Sequence, residues 1–295
     1  MDNDGLRAVI GIGSNSVRML TARVYNGVLT DTARYREDVR TFAGLTERGL
    51  SDEMMVRVLM AVMRLLSVAR GAGACDAMLI ATSAIRDAVN AGEFARHVRE
   101  GTGLEMHVLS GEEEARLGFG GATAGLPGCC GMIDIGGGST ELAVGVDGKP
   151  SAQISLQLGA ARLARTVSAS VDPEAVLADL VQSITDERGA LPAELPRYWV
   201  GVGGTFHTLA RVSQGGKSDI EGQVLTRGDV ERIADALHRM PLERRASVPG
   251  LQPARADIIV PGAWIALAYA RTLGIDEISV TERGNLDGCM MVMWG

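Results

Sequence analysis

Aromatic side chains make up only 4% of the sequence. So sparse a supply argues against single-stranded nucleic-acid binding, which stacks successive bases on aromatic faces. Positive net charge is lacking as well. The formal charge is -7, so a polyanionic partner must be gripped by a local basic patch rather than drawn in by the global field. Duplex DNA is therefore not an expected partner. Cysteine is scarce: Cys75, Cys129, Cys130 and Cys289 form no Cys-x-x-Cys pair, and the adjacent Cys129 and Cys130 are poorly placed to bridge each other. A reduced, cytoplasmic setting is expected. His97, His107, His207 and His238 are scattered without zinc-site spacing and read as ordinary surface or core residues. No apolar run approaches the ~18 residues of a membrane span. Met1 to Gly5 is polar and acidic, unlike a secretory leader. No membrane association is expected.

Glycine, by contrast, is abundant at 38 residues, and 46% hydrophobic with 22% charged residues is the balance of a globular chain. Glycine without aromatics means tight turns and close backbone approaches. The 295 residues suit two domains. Strands are expected at Arg7 to Gly13, Val17 to Tyr25 and Val28 to Tyr35, with Asn26-Gly27 as the hairpin turn. Ser51-Asp52-Glu53 opens a helix carrying Met55, Val58, Leu59, Val62, Leu65 and Leu66 at helical spacing. A strand at Ala77 to Ala81 follows. Next come a helix over Asp87 to Arg99, interrupted near Asn90 to Gly92, and a strand at Leu104 to Leu109. Ser110 caps a helix beginning Gly111-Glu112-Glu113-Glu114.

Leu126-Pro127-Gly128 breaks the chain, and the pattern restarts. Strands are expected at Gly131 to Ile135, Thr140 to Val146 and Ser151 to Leu156, with Asp147-Gly148 as a second hairpin turn. Ile12-Gly13-Ser14-Asn15-Ser16 aligns without gaps on Ile135-Gly136-Gly137-Gly138-Ser139. Strand, Gly/Ser turn, strand, turn, strand, occurring twice, reads as an internal duplication. The expected architecture is α/β: two similar domains, 1–125 and 126–295, facing a central cleft, each presenting a Gly/Ser hairpin. A later strand at Tyr198 to Val202, another at Ile278 to Thr281 and a terminal helix complete the second half. The terminal helix is free to pack back on the first domain.

Three glycine-rich turns carry the chemistry: Gly13-Ser14-Asn15-Ser16, Gly136-Gly137-Gly138-Ser139 and Gly201-Val202-Gly203-Gly204-Thr205. Bare backbone N–H groups approach phosphate oxygens closely in such turns. The third turn also runs from a strand into a helix, whose N-terminus favours an anion. One such turn alone would be only a tight turn; three at matching strand ends favour phosphate. Asp134 and Glu141 bracket the central turn and place two carboxylates near one point, the donor type that Mg²⁺ takes together with substrate phosphates. Of Glu112, Glu113 and Glu114, two are accounted for by the helix N-terminus, which leaves one free to act as a general base. Arg18 and Arg86 stand beside apolar strand ends, where each either pairs with a carboxylate or holds a phosphate.

These motifs resemble the exopolyphosphatase and guanosine-pentaphosphate phosphohydrolase family. The matching pieces are Gly13 to Arg18, Ala81 to Ala88, Ser110 to Arg116, Asp134 to Leu142, Leu158 to Leu163, Gly201 to Thr205, Arg255 to Ile259 and Pro261-Gly262, in family order over nearly the whole chain. The resemblance implies an actin-like (ribonuclease H-like) fold and Mg²⁺-dependent hydrolysis of a terminal phosphate. It assigns Glu114 as catalytic residue, and Asp134 and Glu141 as metal and water-positioning acids. Ser14, Asn15, Ser16, Arg18, Arg86, Gly136, Gly137, Gly138, Ser139, Gly203, Gly204 and Thr205 are the phosphate-binding set. Two departures stand out. Gly11, which falls opposite Asp134 in the internal alignment, replaces a family Asp, so a magnesium ligand is expected to be missing. Arg283-Gly284-Asn285-Leu286-Asp287-Gly288 lacks the second Arg of the family's Arg-Gly-Leu-Arg-Glu-Gly.

The substrate implied is inorganic polyphosphate, with guanosine pentaphosphate as the alternative; the scarcity of aromatics near the motifs leans against a nucleotide. A third expectation, a binding protein with weak catalysis, rests on Gly11. Phosphatase-type motifs throughout, with the Ser-Gly-Glu-Glu-Glu segment, count against a kinase. Exposed-looking methionines such as Met54 and Met63 make a homodimer an expectation.

Overall fold

The computed structural model describes residues 5–167 and 171–295. β1 (Arg7–Ile12), β2 (Ser16–Tyr25) and β3 (Val28–Asp38) run as an antiparallel meander. Asn26 and Gly27 make the hairpin turn with φ of 49° and 74°, a geometry that suits a two-residue loop between right-twisted strands. A short ribbon, β4 (Leu45–Thr46) with β5 (Gly49–Leu50), leads into α1 (Asp52–Gly71), capped by the Ser51 hydroxyl accepting from Met54 N–H at 3.3 Å. Helix α1 buries Met54, Met55, Val58, Val62, Leu65 and Leu66. Met54, expected at the surface, therefore belongs to the core, while Met63 is 40% exposed. Its place in the helical repeat decides this, since Met54, Val58, Ala61 and Leu65 share one face.

β6 (Asp76–Ala81), α2 (Ser83–Arg86), α3 (Ala91–Thr102) and β7 (Met106–Val108) complete the first sheet, in the order β3-β2-β1-β6-β7. Of the helix expected over 87–99, the part from Ala91 onward forms α3, while 87–90 lie between α2 and α3. Asn90 interrupts it because its amide is engaged elsewhere: Leu50 N–H donates to Asn90 Oδ1 at 2.8 Å, and Asn90 Nδ2–H donates to Leu50 O at 2.9 Å.

After α4 (Gly111–Ala122) the meander repeats as β8 (Cys129–Ile135), β9 (Thr140–Val146) and β10 (Lys149–Leu156). Asp147 and Gly148 turn with φ of 50° and 76°, near the values at Asn26 and Gly27. α5 (Ala160–Ala164), α6 (Pro173–Glu187), β11 (Tyr198–Val202), α7 (Gly203–Ser213), β12 (Val224–Thr226), α8 (Arg227–His238), α9 (Leu242–Arg245), α10 (Ile259–Leu273), β13 (Glu277–Val280) and α11 (Asn285–Trp294) follow. The second sheet is ordered β10-β9-β8-β11-β13-β12. Its core gathers around α10, apolar over most of its circumference, with Trp264 and Tyr269 buried at its centre.

Both meanders join parallel strands on one side, β1 beside β6 and β8 beside β11. The molecule thus has the α/β, actin-like architecture of two similar halves. Two helices cross between them. Helix α4 packs on β9 and β10 of the second sheet, α11 packs on β1 and β2 of the first, and the two pack on each other. Helix α4, from the first part of the sequence, thus lies on the second sheet, and α11, from the last part, on the first. Among the described residues no helix is long and apolar enough to cross a membrane.

Candidate active site

The Gly/Ser turns close on themselves in the same way. Gly13 N–H donates to Ser16 O at 3.0 Å, and Gly136 N–H donates to Ser139 O at 3.0 Å. The cross-strand registers agree too: Gly11 faces Arg18 across β1 and β2, as Asp134 faces Glu141 across β8 and β9. The duplicated frame thus brings Arg18 from one side and Asp134 from the other to one cleft, with Glu141 behind Asp134. A cavity of ≈ 360 Å³ opens there, lined by Ser14, Asn15, Ser16, Arg18, Gly136, Gly137, Ser139, Gly203 and Gly204 together with Glu114 and Asp134.

The helix N-terminus sorts the three glutamates. Glu113 completes a capping box with Ser110: its carboxylate accepts from Ser110 N–H at 2.8 Å, while Ser110 Oγ accepts from Glu113 N–H at 3.1 Å. Glu112 faces solvent, and Glu114, 7% exposed, turns into the cavity wall. Burial pushes the Glu114 carboxyl up to about 7, with the Arg86 guanidinium opposing the rise and Asp134 adding to it. Arg86 Nη1–H donates to Glu114 Oε2 at 3.1 Å and to Leu109 O at 2.8 Å. Burial likewise raises Asp134, with Arg18 and Arg255 pulling the other way.

Four expected site residues stand one layer back from the cavity wall: Arg86, Gly138, Glu141 and Thr205. Arg86 serves Glu114, so of the two roles left open for it the structure displays ion pairing. Gly138 packs against Ser83 Oγ, and a Cβ there would collide with it. Thr205 is 1% exposed and lies against Gly262, where an added Cβ would meet Thr205 Oγ1 at 2.7 Å. Glu141 is held by Ser155 Oγ–H at 2.8 Å and is raised well above the usual carboxylate range by burial, then by Glu114 and Asp134.

Magnesium fits this donor set in a limited way. Among the described residues no three His, Cys, Asp or Glu side chains converge as a metal-binding group. Mg²⁺ seldom needs such a group, since it keeps waters and takes one or two carboxylates plus substrate phosphates. Asp134 is the suitable ligand: it lines the cavity, and its carboxylate accepts no hydrogen bond among those of the described residues.

Gly11 lies outside the cavity wall. A Cβ there would meet Leu286 Cδ2 at 2.7 Å and Ile80 Cγ1 at 3.6 Å. The two departures from the family motifs thus touch each other: the position that lost an Asp faces the one that lost an Arg. An apolar contact thus occupies the space beside Gly11.

Several wall residues escaped the sequence reading. Arg34, Tyr35 and Arg36 of β3 line the cavity, as do His207, Arg211, Gln252, Arg255 and Glu282. A signal lay in the register of the first hairpin, where Arg18 stands directly opposite Arg36. Like charges so placed repel unless an anion lies between them. Buried donors in the wall point the same way: Asn15 Nδ2 and Arg255 Nε have no partner among the described residues. Burial, reinforced by Arg36, lowers Arg255 to about 9. Burial lowers His207 to about 3, so its ring is neutral, with Nε2 at 2.8 Å from Thr281 O.

The Ppx/GppA phosphatase family model matches residues 20–294. Exopolyphosphatase 1 of Mycobacterium tuberculosis is 31% identical over 302 residues, spanning 96% of this chain and 86% of that protein. Exopolyphosphatase 2 of the same species is 31% identical over 316 residues, covering 98% of each chain. The solved Ppx-GppA enzyme of Aquifex aeolicus superposes with a TM-score of 0.82 at 27% identity, over 98% of this chain and 99% of its own. A carboxylate on a crossing helix, set against glycine turns and unpartnered buried donors, lies within a chain that resembles these proteins from end to end, and the chain belongs to the Ppx/GppA phosphatase family.

Proposed function

We propose that the protein is an exopolyphosphatase, releasing orthophosphate from the end of inorganic polyphosphate. The observation that carries this is Glu114: a buried carboxyl held near pH 7, in the wall of a cavity otherwise rich in N–H donors. Ionised Glu114 takes a proton from water as the water attacks the terminal phosphorus in line; the bond to the bridging oxygen breaks, and the shortened chain leaves with that oxygen. Turn amides and Arg18 hold the oxygens of the transferring group. Bound at Asp134, Mg²⁺ would supply further positive charge against those oxygens. Two curated relatives named exopolyphosphatase, aligned along nearly the whole chain, support the same reading.

The test is phosphate release from long-chain polyphosphate with Mg²⁺ present, beside the Glu114→Gln variant. Loss of the base should slow release by ~10²–10⁴-fold. A variant with full activity would remove Glu114 from this role.

Guanosine pentaphosphate is retained as a second substrate by one correction. Aromatics were expected to be missing near the motifs, yet Tyr35 lines the cavity, with neutral His207 and the unpartnered acceptor Gln252 Oε1. Ring and acceptors suit a nucleoside, which polyphosphate lacks. Competition between the two substrates in one assay separates the readings. The motive for a binding-only protein remains Gly11, whose neighbour Leu286 belongs to the cavity wall.

A further inference from the structure

The catalytic cavity has a larger neighbour. A second cavity of ≈ 640 Å³ lies among the start of β3, the turn after α4 and strands β11 and β13. The walls of the two cavities share two residues, Arg34 and Asp287. These form a two-pronged ion pair: Arg34 Nη2–H donates to Asp287 Oδ1 at 2.5 Å, and Arg34 Nη1–H to Asp287 Oδ2 at 3.1 Å. The pair is thus the side-chain contact that both walls share, beside the segment 281–284, which sends Glu282 and Gly284 to the first cavity and Thr281 and Arg283 to the second.

The pair is built unequally. The Asp287 side chain is 3% exposed and that of Arg34 is 33% exposed. Asp287 also keeps a partner of its own, since Gly284 N–H donates to its Oδ2 at 3.0 Å. It sits in the first turn of α11, where helix amides favour a negative charge. When Arg34 swings away, Asp287 Oδ2 keeps the Gly284 N–H while Oδ1 is left without its partner, so the displacement needs an incoming anion to hold Arg34. Beyond the pair stands a second guanidinium, Arg283, moored by Nη1–H to Ala124 O at 3.0 Å. Glu221 lines the same wall, its carboxylate engaged by Thr281 Oγ1–H at 2.7 Å and Glu282 N–H at 2.8 Å. Its charge favours passage of an anion over retention.

We propose that the Arg34–Asp287 pair gates a second opening of the catalytic cavity, through which orthophosphate leaves after each cleavage. The inference rests on the hydrolase reading above. Its necessity is topological. A phosphate cut from the end of a chain has the rest of that chain between itself and the mouth by which the chain entered. Either the chain departs first, or the product has another way out. Arg34 exchanges one anion for another, releasing the Asp287 carboxylate to take the phosphate in the same forked geometry. It then returns to Asp287 as the product moves on past Arg283.

The test separates phosphate formed from phosphate freed. Val28 is 61% exposed and lines only the second of the two cavities, so Val28→Trp narrows the passage without touching the catalytic wall. In a single turnover on long-chain polyphosphate, acid quenching reads formation and a fluorescent phosphate-binding reporter reads release. Formation should match the wild type, while release should lag at least about 5-fold, a barrier of roughly 1 kcal/mol. Thr32→Trp, on the same wall, replaces Val28→Trp if that variant disturbs formation. Phosphate freed as fast as it forms in the plugged protein overturns the passage. No acid-quenched phosphate in the wild type overturns the hydrolase reading, and the passage with it.

Discussion

At the scale of single residues, Glu114 is distinguished from its neighbours by helix register alone. One residue earlier is the capping glutamate, and two earlier is solvent. With its carboxyl near 7 rather than near 4.5, Glu114 binds an extra proton in the folded state across that window. Its contribution to stability is therefore present below about 4.5 and is lost as pH rises towards 7. Activity runs the other way, because the base must be ionised. We expect kcat/KM to climb through about pH 7, and the loss of stability over the same range to be shallower in Glu114→Gln. Denaturant midpoints and rates across pH 4.5–8 check both; a flat rate profile would exclude Glu114 as the titrating base. Gly11 makes a second prediction. Gly11→Asp alone drives a carboxylate against Leu286 and should cost about 1–3 kcal/mol, the penalty for an unpaired buried polar group. Adding Leu286→Arg should recover most of that. Strict additivity in a double-mutant cycle of denaturation energies would mean that the two positions do not communicate.

At the scale of elements, the hairpins were legible because Asn-Gly and Asp-Gly tolerate positive φ, and both turns adopt it. The Gly/Ser turns were legible because they stand twice at one register. The Ser110 cap could be read from Ser-x-x-Glu. Arg34 and Arg36 stayed hidden because an arginine on an edge strand reads as a solvated face; only pairing with β2 puts Arg36 opposite Arg18. Arg86 and Glu141 stand behind the cavity wall, and sequence spacing, which fixes the face a side chain takes, does not fix its depth. Gly203 shows how strictly an element end can be specified. It adopts φ of 86°, and a Cβ there would strike Asp134 Oδ1. Gly203→Ala should therefore cost about 1–2 kcal/mol in backbone strain and displace the Asp134 carboxylate as well. The expected result is a folded protein with strongly reduced phosphate release; near-normal turnover, measured beside a thermal melt, would show that Asp134 has room to move.

At the scale of the whole molecule, the two halves are clasped across the cleft. Phe42 of the first half meets the guanidinium groups of Arg162 and Arg165 of the second, at 5.1 Å and 4.4 Å from ring centroid to guanidinium carbon. Arg40 pairs with Asp257, and Arg162 with Asp87. Sequence order could not reveal this, nor that α4 packs on the sheet of the other half, because chain position does not say which core an apolar face will join. Each cation–π contact at a partly exposed site contributes roughly 0.5–1 kcal/mol. Phe42→Ala should loosen closure, raising KM for polyphosphate about 5-fold and enlarging the radius of gyration in solution scattering. An unchanged radius and KM would make the clasp incidental. The crossing helices carry one more consequence. Glu114 rides on α4, which packs on the second sheet, and its partner Arg86 ends α2 beside the first. Any rotation that opens the cleft draws acid and guanidinium apart. As the base proposed above, Glu114 would then work like the interlock on a machine door, set only while the halves are shut, and an open molecule would idle and let bulk water pass unspent.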